Sequence, residues 1–173
     1  MSRRGALLAL LGVGAGAAGV GAAWWQRRSA ATQLAGDDVW RMRFLRPDGG
    51  ELQLAAFRGR PMLLNFWATW CPPCVGELPL LDRFHRDQTP QGWQVVGLAV
   101  DHREPVLEFL KVRPVGFPIG MAGLEGVELS RGLGNATGAL PFSVLFDRRG
   151  AVLARKLGAI HDEDLQAWTT PGN

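Results

Sequence analysis

Residues 65–79 read NFWATWCPPCVGELP, and this stretch holds both cysteines of the 173-residue chain, Cys71 and Cys74. The apolar run MLLNFW at Met62–Trp67 predicts a short buried strand. Directly after it we expect a helix that begins at Cys71 and extends to about Gln88. The two thiols therefore lie where a buried strand leads into the N-terminus of a helix.

The motif Cys71-Pro72-Pro73-Cys74 has three interpretations. A structural disulfide across a loop of four residues would remove little entropy from the unfolded chain, worth roughly 2 kcal/mol. A zinc site needs four ligands, and the chain has no second cysteine pair. Copper held by the two thiolates and His102 stays open, as a copper-chaperone interpretation. A redox-active dithiol is favoured, because the partial positive charge of a helix N-terminus stabilises a thiolate.

The residues around the thiols predict a division of roles. Cys71 is expected to be the nucleophile of disulfide exchange, and Cys74, one helical turn along, to resolve the mixed disulfide. Pro72 and Pro73 fall in the first turn, where a missing N–H is tolerated. They leave the Cys74 amide as the first N–H that can reach the Cys71 sulfur. We therefore expect the Cys71 thiol to be less acidic than the corresponding thiol of the most strongly oxidising proteins that use this chemistry. No cofactor beyond the Cys71–Cys74 disulfide is expected.

The rest of the chain predicts an α/β domain with a mixed sheet, because strands and helices alternate before a closing hairpin and helix. Strands are expected at Val39–Leu45, Glu51–Leu54, Gln94–Val100, Phe117–Met121, Phe142–Phe146 and Ala151–Leu157. Helices are expected at Glu104–Val112, Leu124–Leu133 and Asp162–Trp168.

Residues 1–28 are predicted to be a signal sequence or a membrane anchor. The run at 5–25 is uncharged, lies between arginine pairs, and at about 20 residues is long enough to cross a bilayer. The first arginine pair resembles a twin-arginine export signal, or it follows the positive-inside rule. A polar linker is expected at 29–38 and a globular domain at 39–173.

These features predict a protein on the periplasmic side of the inner membrane, either anchored through residues 5–25 or released after cleavage. The chain has a formal net charge of +3, but the first 28 residues carry four arginines and no acid, so the remainder sums to −1. That balance gives no indication of nucleic-acid binding.

The stretch NFWATWCPPC at 65–74 resembles, nearly letter for letter, the active site of TlpA/ResA-type membrane-anchored thiol:disulfide reductases of the thioredoxin superfamily. The resemblance extends from about Trp40 to Trp168, with Pro79 at the position of a helix-kinking proline. It implies that the domain at 39–173 is thioredoxin-like, with a mixed central sheet flanked by helices, an N-terminal β-hairpin and an insertion after the central βαβ unit. Asp101–Gly123 would lie in or near that insertion.

The resemblance also implies that the segment ALPF at 139–142 is a cis-proline loop beside the disulfide. A cis-proline removes a donor and exposes the backbone of the preceding residue, with which a client strand can pair. The expected client-binding residues are Trp70, Pro72, Pro73, Leu140 and Pro141. Trp67, which belongs to the buried strand, is expected in the core.

Glu77 stands three residues after Cys74, so the two side chains lie on one helical face. Classical thioredoxins have a buried aspartate where this chain has Asn65, and an asparagine cannot titrate. The resemblance therefore makes Glu77 the expected proton shuttle for Cys74. The alternative is an ordinary exposed glutamate that interacts with the helix dipole.

Together these observations predict an exported thiol:disulfide oxidoreductase that reduces disulfide-containing client proteins. The resemblance implies re-reduction by a membrane electron-transfer protein, and clients in cytochrome c maturation or copper-centre assembly. A thiol peroxidase on the same fold is a further alternative. Such an enzyme would present its cysteine after a short threonine-containing loop and would not need a CxxC motif; here Thr69 precedes Cys71 by only two residues, and the intact CPPC motif favours disulfide exchange.

Overall fold

The computed structural model describes residues 38–169. The expected signal sequence or anchor at 1–28 lies outside the described residues, as does the linker except for Asp38. Within 38–169, no helix combines the length and the apolarity needed to cross a bilayer.

A mixed sheet forms the centre of the described chain, with seven strands in the order β2-β1-β5-β4-β3-β6-β7. The inner strands β3, β4 and β5 run parallel, whereas β1 and β6 pair antiparallel with their neighbours. The expected fold class is confirmed. The strands are β1 (Arg43–Leu45), β2 (Glu51–Gln53), β3 (Met62–Trp67), β4 (Gln94–Ala99), β5 (Ile119–Met121), β6 (Phe142–Phe146) and β7 (Val152–Leu157).

Four helices accompany the sheet within residues 38–169, and each begins within two residues of the position predicted from the sequence. Pro79 lies inside the first and longest of them. The expected insertion contains the second helix together with β5, which joins the N-terminal hairpin to the central strands. The helices are α1 (Pro72–Gln88), α2 (Arg103–Val112), α3 (Glu125–Gly132) and α4 (Asp162–Thr169), and single 3-10 turns occur at Leu54–Phe57 and Thr89–Gln91.

The central strand β3 is buried on both faces, so its alternate side chains enter two separate apolar clusters. Leu64 and Phe66 belong to the cluster that also contains Trp40 and Phe142. Trp67, fully buried as expected, belongs to the cluster that contains both cysteines. Each large apolar side chain buried in this way stabilises the folded state by about 1.5–3 kcal/mol. Because Cys71 and Cys74 belong to the second cluster, the disulfide packs against side chains that stabilise the fold.

The expected strand at Val39–Leu45 is wrong in its first half. Val39 and Trp40 are both buried, and the chain there makes a helical turn in which the Met42 N–H donates to the Val39 carbonyl at 3.2 Å. A strand would send successive side chains to opposite faces, whereas these neighbours enter one cluster. The Trp40 indole N–H donates to the Gly150 carbonyl at 3.2 Å, and a Cβ at Gly150 would lie 2.7 Å from that nitrogen.

Candidate active site

Three loops meet at the edge of the sheet where the parallel strands end. Trp67, Ala99 and Met121, the last residues of β3, β4 and β5, are register partners across the sheet. The loops that follow them therefore begin side by side. The loop after β3 leads into α1, whose N-cap residue is Cys71.

Cys71 and Cys74 form a disulfide at this N-terminus, with an S–S distance of 2.02 Å. Cys74 is fully buried and Cys71 is 5% exposed. The Cys74 N–H donates to Cys71 Sγ at 3.3 Å, which is the contact expected from the two intervening prolines. Pro72 and Pro73 occupy the first helical turn and are exposed.

The Leu140–Pro141 peptide bond is cis, as expected. Pro141 directly precedes β6, in which Phe142 is the register partner of Phe66 on β3, so this loop lies at the same edge of the sheet as the disulfide. Neither the N–H nor the C=O of Leu140 has a hydrogen-bond partner among residues 38–169. The loop therefore presents an unpaired backbone unit at the edge of the sheet.

Trp70 lies between the buried strand and the disulfide and is 66% exposed. Trp70, which the sequence analysis predicts to bind clients, is therefore accessible next to Cys71 in the chain. Its loop is fixed by Asp101, whose Oδ2 accepts from the Thr69 N–H at 2.9 Å and from the Thr69 hydroxyl at 2.6 Å. Asp101 Oδ1 also accepts from the His102 N–H at 2.7 Å.

The sequence analysis did not single out Asp101. A signal for it existed, because Asp101 closely follows β4, and parallel neighbours such as β3 and β4 end at the same sheet edge. A carboxylate at that position can accept from the loop after the adjacent strand. The sequence analysis used Thr69 only to weigh the peroxidase alternative; in the structure Thr69 donates to Asp101 through its N–H and its hydroxyl.

Glu77 is buried, with 3% of its surface exposed, so the alternative of an exposed helix glutamate is wrong. Its Oε1 accepts from Asn65 Nδ2 at 2.7 Å and its Oε2 accepts from the Ile160 N–H at 2.6 Å. Burial raises the pKa of Glu77 to about 7, although both hydrogen bonds act in the opposite direction. A carboxyl group with this pKa can accept or release a proton near neutral pH.

Asn65 joins Glu77 to a third buried polar side chain, Ser143, which the sequence analysis missed. Asn65 Nδ2 donates to Ser143 Oγ at 2.9 Å, and the two residues are register partners on β3 and β6. All three side chains are less than 4% exposed. A serine in the otherwise apolar strand FSVLF was the signal that could have indicated this contact.

Within residues 38–169, no group of three or more His, Cys, Asp or Glu side chains is arranged to hold a metal ion. His102, the expected partner for copper, is exposed immediately before α2. The copper interpretation stays a prediction.

The fold and site together define a class of protein. A CxxC disulfide at a helix N-terminus, on a thioredoxin-like sheet and at the same edge as a cis-proline, is the arrangement of a thiol-disulfide oxidoreductase.

Comparison with known proteins identifies the family. The Redoxin family model matches residues 34–168. The thiol-disulfide oxidoreductase ResA of Geobacillus thermodenitrificans is 33% identical over 122 residues, which cover 69% of this chain and 67% of that protein. ResA of Bacillus cereus is 29% identical over 123 residues, which cover 70% of this chain and 68% of that protein.

A solved structure of a thioredoxin family protein has a similar fold. The thiol:disulfide interchange protein of Chlorobium tepidum, a thioredoxin family protein, superposes with a TM-score of 0.66 at 26% identity, over 73% of this chain and 88% of that one. The chain belongs to the Redoxin family and is a TlpA/ResA-type member of the thioredoxin superfamily.

Proposed function

We propose that this protein is exported and reduces disulfides in client proteins. In the first step the Cys71 thiolate attacks a client sulfur, forms a mixed disulfide and releases one client thiolate. In the second, Cys74 loses its proton and attacks Cys71, which releases the other client thiolate. Two electrons pass from the dithiol to the client, whose thiolates take up protons, and the Cys71–Cys74 disulfide remains.

The observation that carries the reducing direction is the hydrogen bonding of Cys71. Among residues 38–169 its sulfur accepts one N–H, from Cys74. Pro72 and Pro73 remove the two intervening donors at the helix N-terminus, so less of the local field stabilises a thiolate. A less stabilised thiolate makes the reduced form a stronger electron donor.

Two features support client binding at this edge of the sheet. Leu140 offers an N–H and a C=O to an extended client segment, which would add as a short strand beside the disulfide. The exposed indole of Trp70 and the exposed rings of Pro72 and Pro73, which adjoin Cys71 in the chain, would supply apolar contact to the client. Pro141 holds this backbone in place through its carbonyl, which accepts from the Gly158 N–H at 2.9 Å.

Glu77 is the proton acceptor in the second step. Cys74 is fully buried and has no access to solvent. Glu77 is three residues along the same helix, and a pKa of about 7 suits a group that must take a proton from a thiol and return it.

Export and electron supply complete the proposal. The uncharged run between arginine pairs at 5–25 supports attachment to, or passage across, the inner membrane. In an oxidising compartment the Cys71–Cys74 disulfide needs an electron source, for which we propose a membrane electron-transfer protein. The proposed clients are proteins of cytochrome c maturation or copper-centre assembly.

The reduction potential of the Cys71–Cys74 couple tests the direction. The full chain, equilibrated in dithiol buffers of defined potential and trapped by thiol alkylation, should give a value near −270 mV, about that of thioredoxin. A value near −120 mV, about that of the strong oxidant DsbA, would make the protein an oxidant of its clients. A Cys71→Ser variant, which cannot form the couple, provides the baseline for alkylation.

A further inference from the structure

The amide of Asn65 has an unusual balance of partners. Its Nδ2 donates twice, to Glu77 Oε1 at 2.7 Å and to Ser143 Oγ at 2.9 Å, while its Oδ1 is buried without a hydrogen-bond partner. Leaving a buried acceptor unpaired is costly. Such a group in the middle of a central strand therefore calls for a physical explanation.

Asn135, the other buried asparagine of residues 38–169, shows the contrast. Its Nδ2 donates to Ser130 Oγ at 3.2 Å and to the Ala139 carbonyl at 2.8 Å. Its Oδ1 accepts from the Thr137 hydroxyl at 3.2 Å and from the Gly138 N–H at 3.1 Å. This amide is satisfied at both ends and has no titratable neighbour among those partners.

Turning the Asn65 amide by half a rotation about its terminal torsion exchanges the places of Oδ1 and Nδ2. The oxygen would then face Glu77 Oε1 and Ser143 Oγ at the distances now occupied by the nitrogen. An ionised carboxylate can only accept, so it needs Nδ2; a protonated carboxyl can donate, so it can use Oδ1. The Ser143 hydroxyl serves either orientation because it both accepts and donates.

We propose that Asn65 and Ser143 are positioning residues for Glu77: the Asn65 amide presents Nδ2 to the ionised carboxylate and Oδ1 to the protonated carboxyl. In the observed orientation the amide oxygen stays unpaired, so the orientation that serves the ionised carboxylate does not satisfy the whole amide. Asn65 and Ser143 thus let Glu77 gain and lose a proton inside the core while Glu77 keeps a hydrogen bond to the Asn65 amide in both states. This inference rests on the proposed role of Glu77 in proton transfer.

The other groups around Glu77 do not change their hydrogen bonding to it when Glu77 gains or loses its proton. The Ile160 N–H is a fixed donor that can serve Oε2 in both states. Asp164 on α4 acts to raise the pKa of Glu77 and Lys156 on β7 acts to lower it. Those two groups are paired with each other at 2.8 Å, so their effects on Glu77 oppose one another.

Nuclear Overhauser contacts of the Asn65 amide test the proposal on the oxidised full chain in detergent micelles. The chain has three asparagines, so side-chain 15N labelling of asparagine gives three assignable NH2 groups, and a carboxyl 13C label follows Glu77. Above the Glu77 midpoint the Asn65 NH2 protons should contact the Glu77 Hγ and Ser143 Hβ protons. Below it these contacts should disappear, while those of Asn135 stay constant.

Two variants sharpen this test. In Glu77→Gln, the glutamine oxygen should accept from Ile160 and its NH2 group should face Asn65, so the Asn65 contacts should be absent at every pH. In Asn65→Leu, the Glu77 midpoint should rise by about one pH unit, because a hydrogen bond to a charged group is roughly twice as strong as one between neutral groups.

Asn65 contacts that persist unchanged below the Glu77 midpoint would overturn the proposal, and this measurement on the unmodified chain does not depend on whether Asn65→Leu folds. An unchanged Glu77 midpoint in folded Asn65→Leu would overturn it as well. Since no client is present and the disulfide stays closed, either failure would leave the proposed client reduction untouched.

Discussion

Glu77 and Asp164 are neighbouring carboxyl groups that the protein treats in opposite ways. Glu77 lies in the core and accepts from two neutral donors, the Asn65 amide and the Ile160 N–H, and burial raises its pKa to about 7. Asp164 lies nearer the surface. Burial also acts to raise its pKa, but the Lys156 ammonium and the His161 N–H outweigh that effect and hold it below its usual range.

The difference shows what neutral donors and a cation each do for a buried acid. Neutral donors satisfy the oxygens of Glu77 but do not replace the solvation of its charge, so its protonation stays adjustable near neutral pH. An ammonium group keeps the aspartate ionised and suits it for a structural role. Glu77, the acid that we propose for proton exchange, is the one without a direct cation partner among residues 38–169.

Replacing Glu77 by glutamine should have the largest effect on the pH dependence of stability. The native pKa of about 7 lies above the ordinary value of 4.5, so the folded state binds the proton more tightly than the unfolded state. The unfolding free energy of the wild type should therefore fall as pH rises from about 4.5 to about 7, by up to about 3 kcal/mol from this group. Glu77→Gln should lack that fall.

Urea unfolding of both oxidised proteins at a series of pH values measures this effect. The informative quantity is the difference between wild type and variant, because burial lowers the pKa of His85 and its pH-dependent contribution, common to both proteins, cancels. If the difference stays constant from pH 4 to pH 8, the carboxyl group is not perturbed in the way its burial indicates.

Asp101 is a third kind of acid, and replacing it by asparagine should have the next largest effect. It accepts from the Thr69 N–H, the Thr69 hydroxyl and the His102 N–H. An asparagine can present its oxygen to only one side, so at least one N–H must lose its acceptor, at a cost of about 2 kcal/mol. Thr69 adjoins Trp70, which we propose to bind clients. Client reduction should therefore also slow, mainly through a higher KM.

The measurements for this variant are unfolding by urea and steady-state reduction of a disulfide-containing client. Thr69→Val, which removes the hydroxyl but keeps the backbone N–H, is the matched control and should lose less in both. Equal losses in the two variants would mean that Asp101 holds the loop through the Thr69 hydroxyl alone, with no contribution from the backbone N–H groups.

The sequence predicted the parts of this site that depend on short spacing. The strand Met62–Trp67 and the helix N-terminus at Cys71 follow from one apolar run and two prolines, and i,i+3 spacing put Glu77 on the face of Cys74. The cis bond at Pro141 was implied by resemblance. These features involve residues close together in the chain or a motif with a distinctive order.

The missed features depend on contacts between distant residues. Ile160, 83 positions from Glu77, supplies the N–H that Glu77 Oε2 accepts, and Ser143 meets Asn65 through the pairing of β3 with β6. Asp101 likewise meets Thr69 across two loops. The error at Val39–Leu45 has a related cause, since Trp40 is held by Phe146 and Gly150 from the far end of the domain.

Replacing Lys156 by methionine tests the other side of the comparison and should have the smallest effect. Lys156 Nζ donates to both oxygens of Asp164 at 2.8 Å, and both side chains are partly buried. A lowered native pKa means that Asp164 stabilises the fold above its unfolded pKa near 3.8, and that this contribution is lost as pH falls. Without the ammonium group, Asp164 is a partly buried acid with one N–H donor, from His161.

Lys156→Met should therefore lower the unfolding free energy at pH 7 by about 1 kcal/mol and reduce its loss between pH 5 and pH 2. The titration midpoint of Glu77, followed through its labelled carboxyl carbon, should rise slightly. The uncharged methionine cannot offset the effect of Asp164, which raises the pKa of Glu77. Arg83→Met is the matched control: it removes an exposed cation partner of Asp162, which lies on α4 together with Asp164. This variant should change neither quantity. A Glu77 midpoint that falls in Lys156→Met would show that Asp164, once free of its cation, takes up the proton itself and no longer repels the glutamate.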